Sequence, residues 1–144
     1  GSAEAGREAY AAAQCIHCHR VGDEPGGLTG PDLAGVTARF SRRDLLRHIL
    51  EPSLAIDDKF RATTIRLNDC ATYMGYFQGE DDAHVQLGTG AGPDDCVRID
   101  RTQIAERSLS EISPMPGGLL NILSKEQVSD LLEYLSATAV APGK

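Results

Sequence analysis

The stretch that decides the reading is Cys15-Ile16-His17-Cys18-His19, two thiols with two residues between them and an imidazole immediately after. In one tight turn such a segment presents both sulfurs together and sets the following His beside them, which is the C-x-x-C-H pattern of covalent haem attachment. Each thiol adds across one haem vinyl group, and His19 becomes the proximal iron ligand. The competing use of C-x-x-C is a zinc or redox site; four-ligand zinc needs two more donors, for which Cys70 and Cys96 are the candidates. Haem attachment is the expectation, with His17 turned away from the iron toward the surface.

Working outward, a low-spin electron carrier needs a sixth ligand, and a thioether opposite His raises the potential by favouring ferrous iron. Two Met residues exist. Met115 sits in Ser113-Pro114-Met115-Pro116-Gly117-Gly118, where flanking prolines reduce the freedom lost on ligation. Met74 falls in a strand-like segment and reads as packing. Met115 is therefore the expected axial ligand; His48, His84, Met74 or an open position are the alternatives. Gly30-Pro31-Asp32-Leu33 follows at a spacing that lets the loop fold under His19. A haem-ligating His donates its other ring N–H to a fixed acceptor, and the Pro31 carbonyl is the candidate, the plainer reading being a simple turn. Haem propionates need donors as well, and among Arg39, Arg42 and Arg43 we favour Arg39, beside Phe40, the alternative being a solvated basic cluster.

The elements around these residues follow from pattern. Residues 3–14 are Ala- and Glu-rich and read as a helix stopping at the Cys cluster. Breakers crowd 21–40, which predicts a long irregular loop. Ser41 and Asp44 open a second helix with Leu45, Leu46, Ile49 and Leu50 as its apolar face, ending before Pro52. From 59 to 104 the period changes, and four strands are expected at 59–67, 72–78, 84–88 and 96–100, in an antiparallel meander with one wet face. Ser124 and Gln127 form a capping box before a last helix striped by Val128, Leu131, Leu132 and Leu135.

Composition bounds the rest. A chain of 144 residues, 41% hydrophobic and 24% charged, has the size and balance of one globular domain. Its formal charge of -7 disfavours nucleic acid and anionic membrane surfaces and suits a neutral or basic protein partner. No run is long enough to span a membrane. Without Trp and with 5% aromatics, the core lacks aromatic bulk that a porphyrin would supply. Gly1-Ser2 reads as a cleavage scar of recombinant expression, so a missing signal peptide carries no information about cellular address.

Together these features resemble the class I cytochrome c fold: C-x-x-C-H after an N-terminal helix, a Gly-Pro-x-Leu loop, and a Met loop before a C-terminal helix. Gly6 and Tyr10 match the small and aromatic positions of that fold's first helix, and Leu131 and Tyr134 those of its last, which implies a close crossing of the terminal helices. More specifically, Cys15 to Val21, Gly30 to Leu33, Arg43 to Ser53 and Met115 to Leu119 resemble the haem-binding domain abundant in planctomycetes and verrucomicrobia. The resemblance implies a mainly α cytochrome c fold with a small antiparallel sheet inserted before the Met loop. The expected organisation is a single domain over 1–144, with residues 1–58, 59–104 and 105–144 as its helical, strand and Met-loop parts. It further implies one covalently attached haem c and an electron-transfer protein rather than an enzyme. Its partners would be a dehydrogenase donor and an oxidase or cytochrome acceptor, its setting the bacterial periplasm, and its origin a domain of a larger oxidoreductase. Rival readings are a peroxidase-like haem enzyme and a gas or redox sensor with a displaceable sixth ligand.

Two cysteines remain once haem has taken its pair. In an oxidising compartment free thiols tend to join. In the expected meander Cys70 and Cys96 lie in breaks at the same end of the sheet, so a Cys70–Cys96 disulfide is expected.

Overall fold

The computed structural model describes residues 1–57, 60–89 and 94–138. Lys59, the expected start of the first strand, and the ends of the breaks near residues 90–93 lie outside them. The chain divides into two compact units, Gly1–Ala55 with Met115–Lys144, and Ile56–Pro114.

The first unit is helical. Helix α1 (Ala3–Ala12) begins at Ser2, whose hydroxyl accepts the Ala5 N–H, and buries Gly6, Ala9 and Tyr10. It ends two residues before the Cys cluster because Gln14 takes a left-handed conformation, φ 64°. Helix α2 (Arg42–Leu50) is capped by Ser41 and buries Leu45 and Ile49. Helix α3 (Lys125–Ala137) carries the full capping box of Ser124 and Gln127 and buries Leu131, Tyr134 and Leu135. Helices α1 and α3 cross at Gly6, where any Cβ would run into the Asp130 carbonyl and the Tyr134 Cβ. One turn later the rings of Tyr10 and Tyr134 meet at 5.5 Å between centroids, tilted by 57°. Ser2 N to Asp130 Oδ1 (2.6 Å) and Arg42 to Glu133 (2.6 Å) tie both α1 and α2 to α3. The core of this unit joins Ala9, Tyr10, Val21, Val36, Leu45, Ile49, Leu120, Leu131, Tyr134 and Leu135.

The second unit is a five-stranded antiparallel sheet in the order β4-β3-β2-β1-β5. Its strands are β1 (Ala62–Leu67), β2 (Thr72–Glu80), β3 (His84–Gly88), β4 (Cys96–Asp100) and β5 (Ile104–Leu109). Four lie where the alternation placed them; β5 was expected to be loop. Its residues alternate poorly and all but Ile104 are exposed, so only its pairing with β1, Thr63 against Leu109 to Arg66 against Glu106, makes it a strand. Alternation sends Ile65, Leu67, Val85, Leu87 and Ile99 to one face, where they form a second core.

This overturns the mainly α expectation. Among the described residues the three α-helices have 10, 9 and 13 residues and the five strands 6, 9, 5, 5 and 6, so the sheet is a major part of the fold and not a small insertion. The motifs that suggested an α fold sit at the two ends of the chain, and the middle has a core of its own.

Candidate haem site

The C-x-x-C-H segment forms a 3₁₀ turn over Cys15–His17. The amides of Cys18 and His19 both donate to the Cys15 carbonyl, at 3.2 and 2.9 Å, which gathers the two sulfurs and the imidazole within one turn. Cys15 is partly buried while Cys18 is exposed. Burial pushes the Cys15 thiol up to about 11, so it is a neutral thiol rather than the low-pKa thiolate of redox C-x-x-C sites. His17 is exposed.

The loop that follows folds back beneath this turn. Gly27 N donates to the Ile16 carbonyl (2.8 Å), Gly30 N to that of Cys18 (2.8 Å) and Leu33 N to that of Arg20 (3.0 Å). Glycine is required where the strands of chain touch: a Cβ on Gly27 would overlap the His17 carbonyl, and one on Gly30 would lie 2.6 Å from Cε1 of His19. His19 Nδ1 lies 2.8 Å from the Pro31 carbonyl oxygen. A carbonyl can only accept, so this bond requires the proton on Nδ1 and leaves Nε2 as the ring's electron-pair donor. Tyr10 adds a link from α1, its hydroxyl donating to the His19 carbonyl at 2.9 Å. Burial, with Cys15 and Tyr134 nearby, holds that phenol above its usual range, so it stays a donor.

Asp32 joins the loop to the segment after His19. Its Oδ1 accepts the amides of Gly22 and Ala34, both at 2.9 Å, and its Oδ2 lies 3.3 Å from Arg20 Nε. Burial raises its pKa, but the Ala34 and Gly22 amides and the Arg20 guanidinium outweigh that, and the carboxyl sits below its ordinary range. Sequence reasoning quoted Asp32 without giving it a role, and Tyr10 only as a packing position. An Asp directly after the acceptor Pro31 was the available signal for the first.

The other candidates separate clearly. Met115 is half-buried and packs, with Cys15 and Ile16, against the core of the helical unit. Met74 lies in β2 of the sheet unit and is 64% exposed. The His48 ring meets Phe40 edge-on at 4.9 Å, and His84, at the start of β3, lies 3.7 Å from Asp81. Arg39 is exposed, with its guanidinium 6.0 Å from the centre of the Phe40 ring. Among the described residues, no three His, Cys, Asp or Glu side chains are grouped to hold a metal ion.

Cys70 and Cys96 are both exposed free thiols, and the expected disulfide is absent. Register is the reason. Cys96 pairs with Gly88, and Gly88 with Tyr76, so Cys96 is level with the middle of β2. Thr72, the first residue of β2, is already about 14 Å further along the strand, and Cys70 lies beyond it in the β1–β2 turn. A disulfide tolerates a Cα separation of only about 7 Å. The two breaks share an end of the sheet, but the β3–β4 hairpin stops short of it.

The residues present fit a covalently held haem. Both thiols and the His share one turn, and the imidazole tautomer is fixed with Nε2 as donor. Leu28, Leu50, Leu54 and Ile122, all in the helical unit, are more than half exposed. These features fit haem attachment at this turn. A family model described as cytochrome c matches residues 3–72, from α1 through the attachment turn, its loop and α2 into the start of the sheet. The match supports a c-type cytochrome, a haem-binding electron-carrier domain with covalently bound haem c and redox proteins as partners. No curated protein matches the chain. Among the described residues no helix is long and apolar enough to cross a membrane.

Proposed function

We propose that this protein is a monohaem c-type cytochrome that passes single electrons in the bacterial periplasm, as a partner to, or a domain of, a dehydrogenase. Cys15 and Cys18 would hold the haem through thioether bonds, and His19 and Met115 would bind its iron. The observation that carries the reading is the bond from His19 Nδ1–H to the Pro31 carbonyl inside a C-x-x-C-H turn, since a fixed acceptor of this kind sets the orientation and basicity of a ligating His. Haem supplies an iron that gains and loses one electron without bond making or breaking. The chain supplies everything else: Cys15 and Cys18 the tether, Pro31 the acceptor that holds a proton on Nδ1, and the apolar side chains of the helical unit the exclusion of water. Met115 is supported as the second ligand by its packing against the same core as Cys15, where Met74, His48 and His84 have other surroundings. Arg39 is assigned to a propionate as the arginine adjoining Phe40. The resemblance to the planctomycete and verrucomicrobial haem-binding domain supports the periplasmic setting and the dehydrogenase connection.

The test is substitution of each Met in haem-loaded protein. Met115→Ala is expected to abolish the far-red absorption band of Met bound to ferric iron and to lower the reduction potential. Met74→Ala is expected to do neither, and loss of the band in Met74→Ala alone would reverse the assignment. Carbon monoxide offered to the reduced wild type should bind poorly; prompt, tight binding would favour a haem enzyme or a sensor with an open sixth position.

A further inference from the structure

Two stretches of backbone run side by side beneath the attachment turn, residues 18–22 and 30–34. Their rungs are Gly30 N to the Cys18 carbonyl, His19 Nδ1 to the Pro31 carbonyl, Leu33 N to the Arg20 carbonyl, and Gly22 N to Asp32 Oδ1. Three of these accept on backbone carbonyls. Asp32 alone accepts on a side chain, and it does so twice, since Oδ1 also takes the Ala34 amide two residues along its own stretch, while Oδ2 faces Arg20. Asp32 is covalently next to Pro31, and Arg20 is next to His19, so the carboxylate brackets the ligand–acceptor pair from the adjoining residues.

We propose that Asp32 is a positioning residue for the axial imidazole: by tying Gly22 and Ala34 together it fixes the Pro31 carbonyl against His19 Nδ1. This rests on the reading above that His19 ligates haem iron. Without Asp32, two part-buried amides lose their acceptor, the 30–34 stretch gains freedom, and the Nδ1 proton is held less firmly. A less firmly held proton makes the imidazole a weaker donor to iron, which favours the ferrous state and raises the potential. Removing the carboxylate's negative charge raises the potential too, so charge and position must be separated.

Three variants of the haem-loaded protein do so. Asp32→Asn loses the charge but keeps an oxygen for both amides, Asp32→Ser can reach only one of them, and Asp32→Ala reaches neither. Hydrogen exchange of the His19 Nδ1 proton, followed by NMR in the reduced protein, is expected to be about tenfold faster in Asp32→Ala, the factor that one lost hydrogen bond represents. It should be intermediate in Asp32→Ser and close to wild type in Asp32→Asn. The potential should rise further in Asp32→Ala than in Asp32→Asn. Should Asp32→Ala fail to mature, the Ser and Asn variants carry the same comparison. Exchange as slow in the truncated variants as in wild type, or as fast in Asp32→Asn as in the truncations, overturns the proposal. A wild-type protein without haem absorption overturns the electron-carrier reading as well, whereas haem present with unmoved exchange overturns this inference alone.

Discussion

At the scale of single residues, the site is built from groups whose freedom has been removed by neighbours. Gly30 is the clearest case, because its missing side chain is what leaves room for the His19 ring. Gly30→Ala should force the ring off the Pro31 carbonyl, and the expected result is a lower yield of haem-loaded protein together with a raised potential in what matures; unchanged values would show that the ring has slack. The depressed carboxyls give a pH dependence of known sign. Asp32 is held below its ordinary range by the Ala34 and Gly22 amides and Arg20, acting against burial. Asp81 is held down by the Ala83 and His84 amides, and Asp100 by the Thr102 amide and hydroxyl. A carboxyl with a lowered folded-state pKa stabilises the fold fully above its unfolded value, here 3.8, and loses that contribution as pH falls through the folded value. Stability measured by denaturant titration should therefore fall below about pH 4, and Asp32→Asn should flatten part of that fall.

Elements are decided by how these residues meet their neighbours. The crossing of α1 and α3 depends on Gly6 lying against Asp130 and Tyr134. Gly6→Val is expected to destabilise the helical unit by about 1–3 kcal/mol, the usual cost of overpacking, read as a lower urea midpoint. Within the sheet, Ile65 is fully buried among Leu67, Val85, Leu87 and Ile99, and Ile65→Ala should cost about 2–5 kcal/mol. The capping box before α3 and the cap of α2 were legible because a cap depends on residues three apart in sequence; the cap of α1 was not, since Ser2 read as part of a cleavage scar, yet it accepts the Ala5 N–H. The Cys70–Cys96 pairing was not legible in the same way. It depended on where two hairpins end relative to each other, and β2 outruns β3 by enough residues to put the thiols out of reach. In haem-loaded protein both thiols should react with a small thiol reagent without denaturant, and a native protein in which neither reacts would restore the bridge.

For the whole molecule, charge is unevenly shared. Residues 56–114 hold eleven acidic against six basic side chains, most of the formal charge of -7. Small cationic redox reagents should therefore exchange electrons with the protein faster than anionic ones of similar driving force, and added salt should slow the first and speed the second. Equal, salt-independent rates would mean that the negative field does not reach the point of electron entry. By itself the sequence determined whatever is local: the attachment turn with Cys15, Cys18 and His19, the glycine-rich return loop, three helices, two of them with their caps, and four alternating strands. Each is specified by residues within a turn or two of one another, so spacing alone carries the information. Tertiary structure decided what depends on partners distant in the chain. It made a strand of residues 104–109 through pairing with β1, gave the middle of the chain its own core and so replaced a mainly α fold with three helices and a five-stranded sheet, and kept Cys70 from Cys96. It also put the Asp32 carboxylate on two amides, one of them ten residues away. These outcomes turn on register and on contacts between segments that approach only after folding, where a shift of one or two residues changes every neighbour.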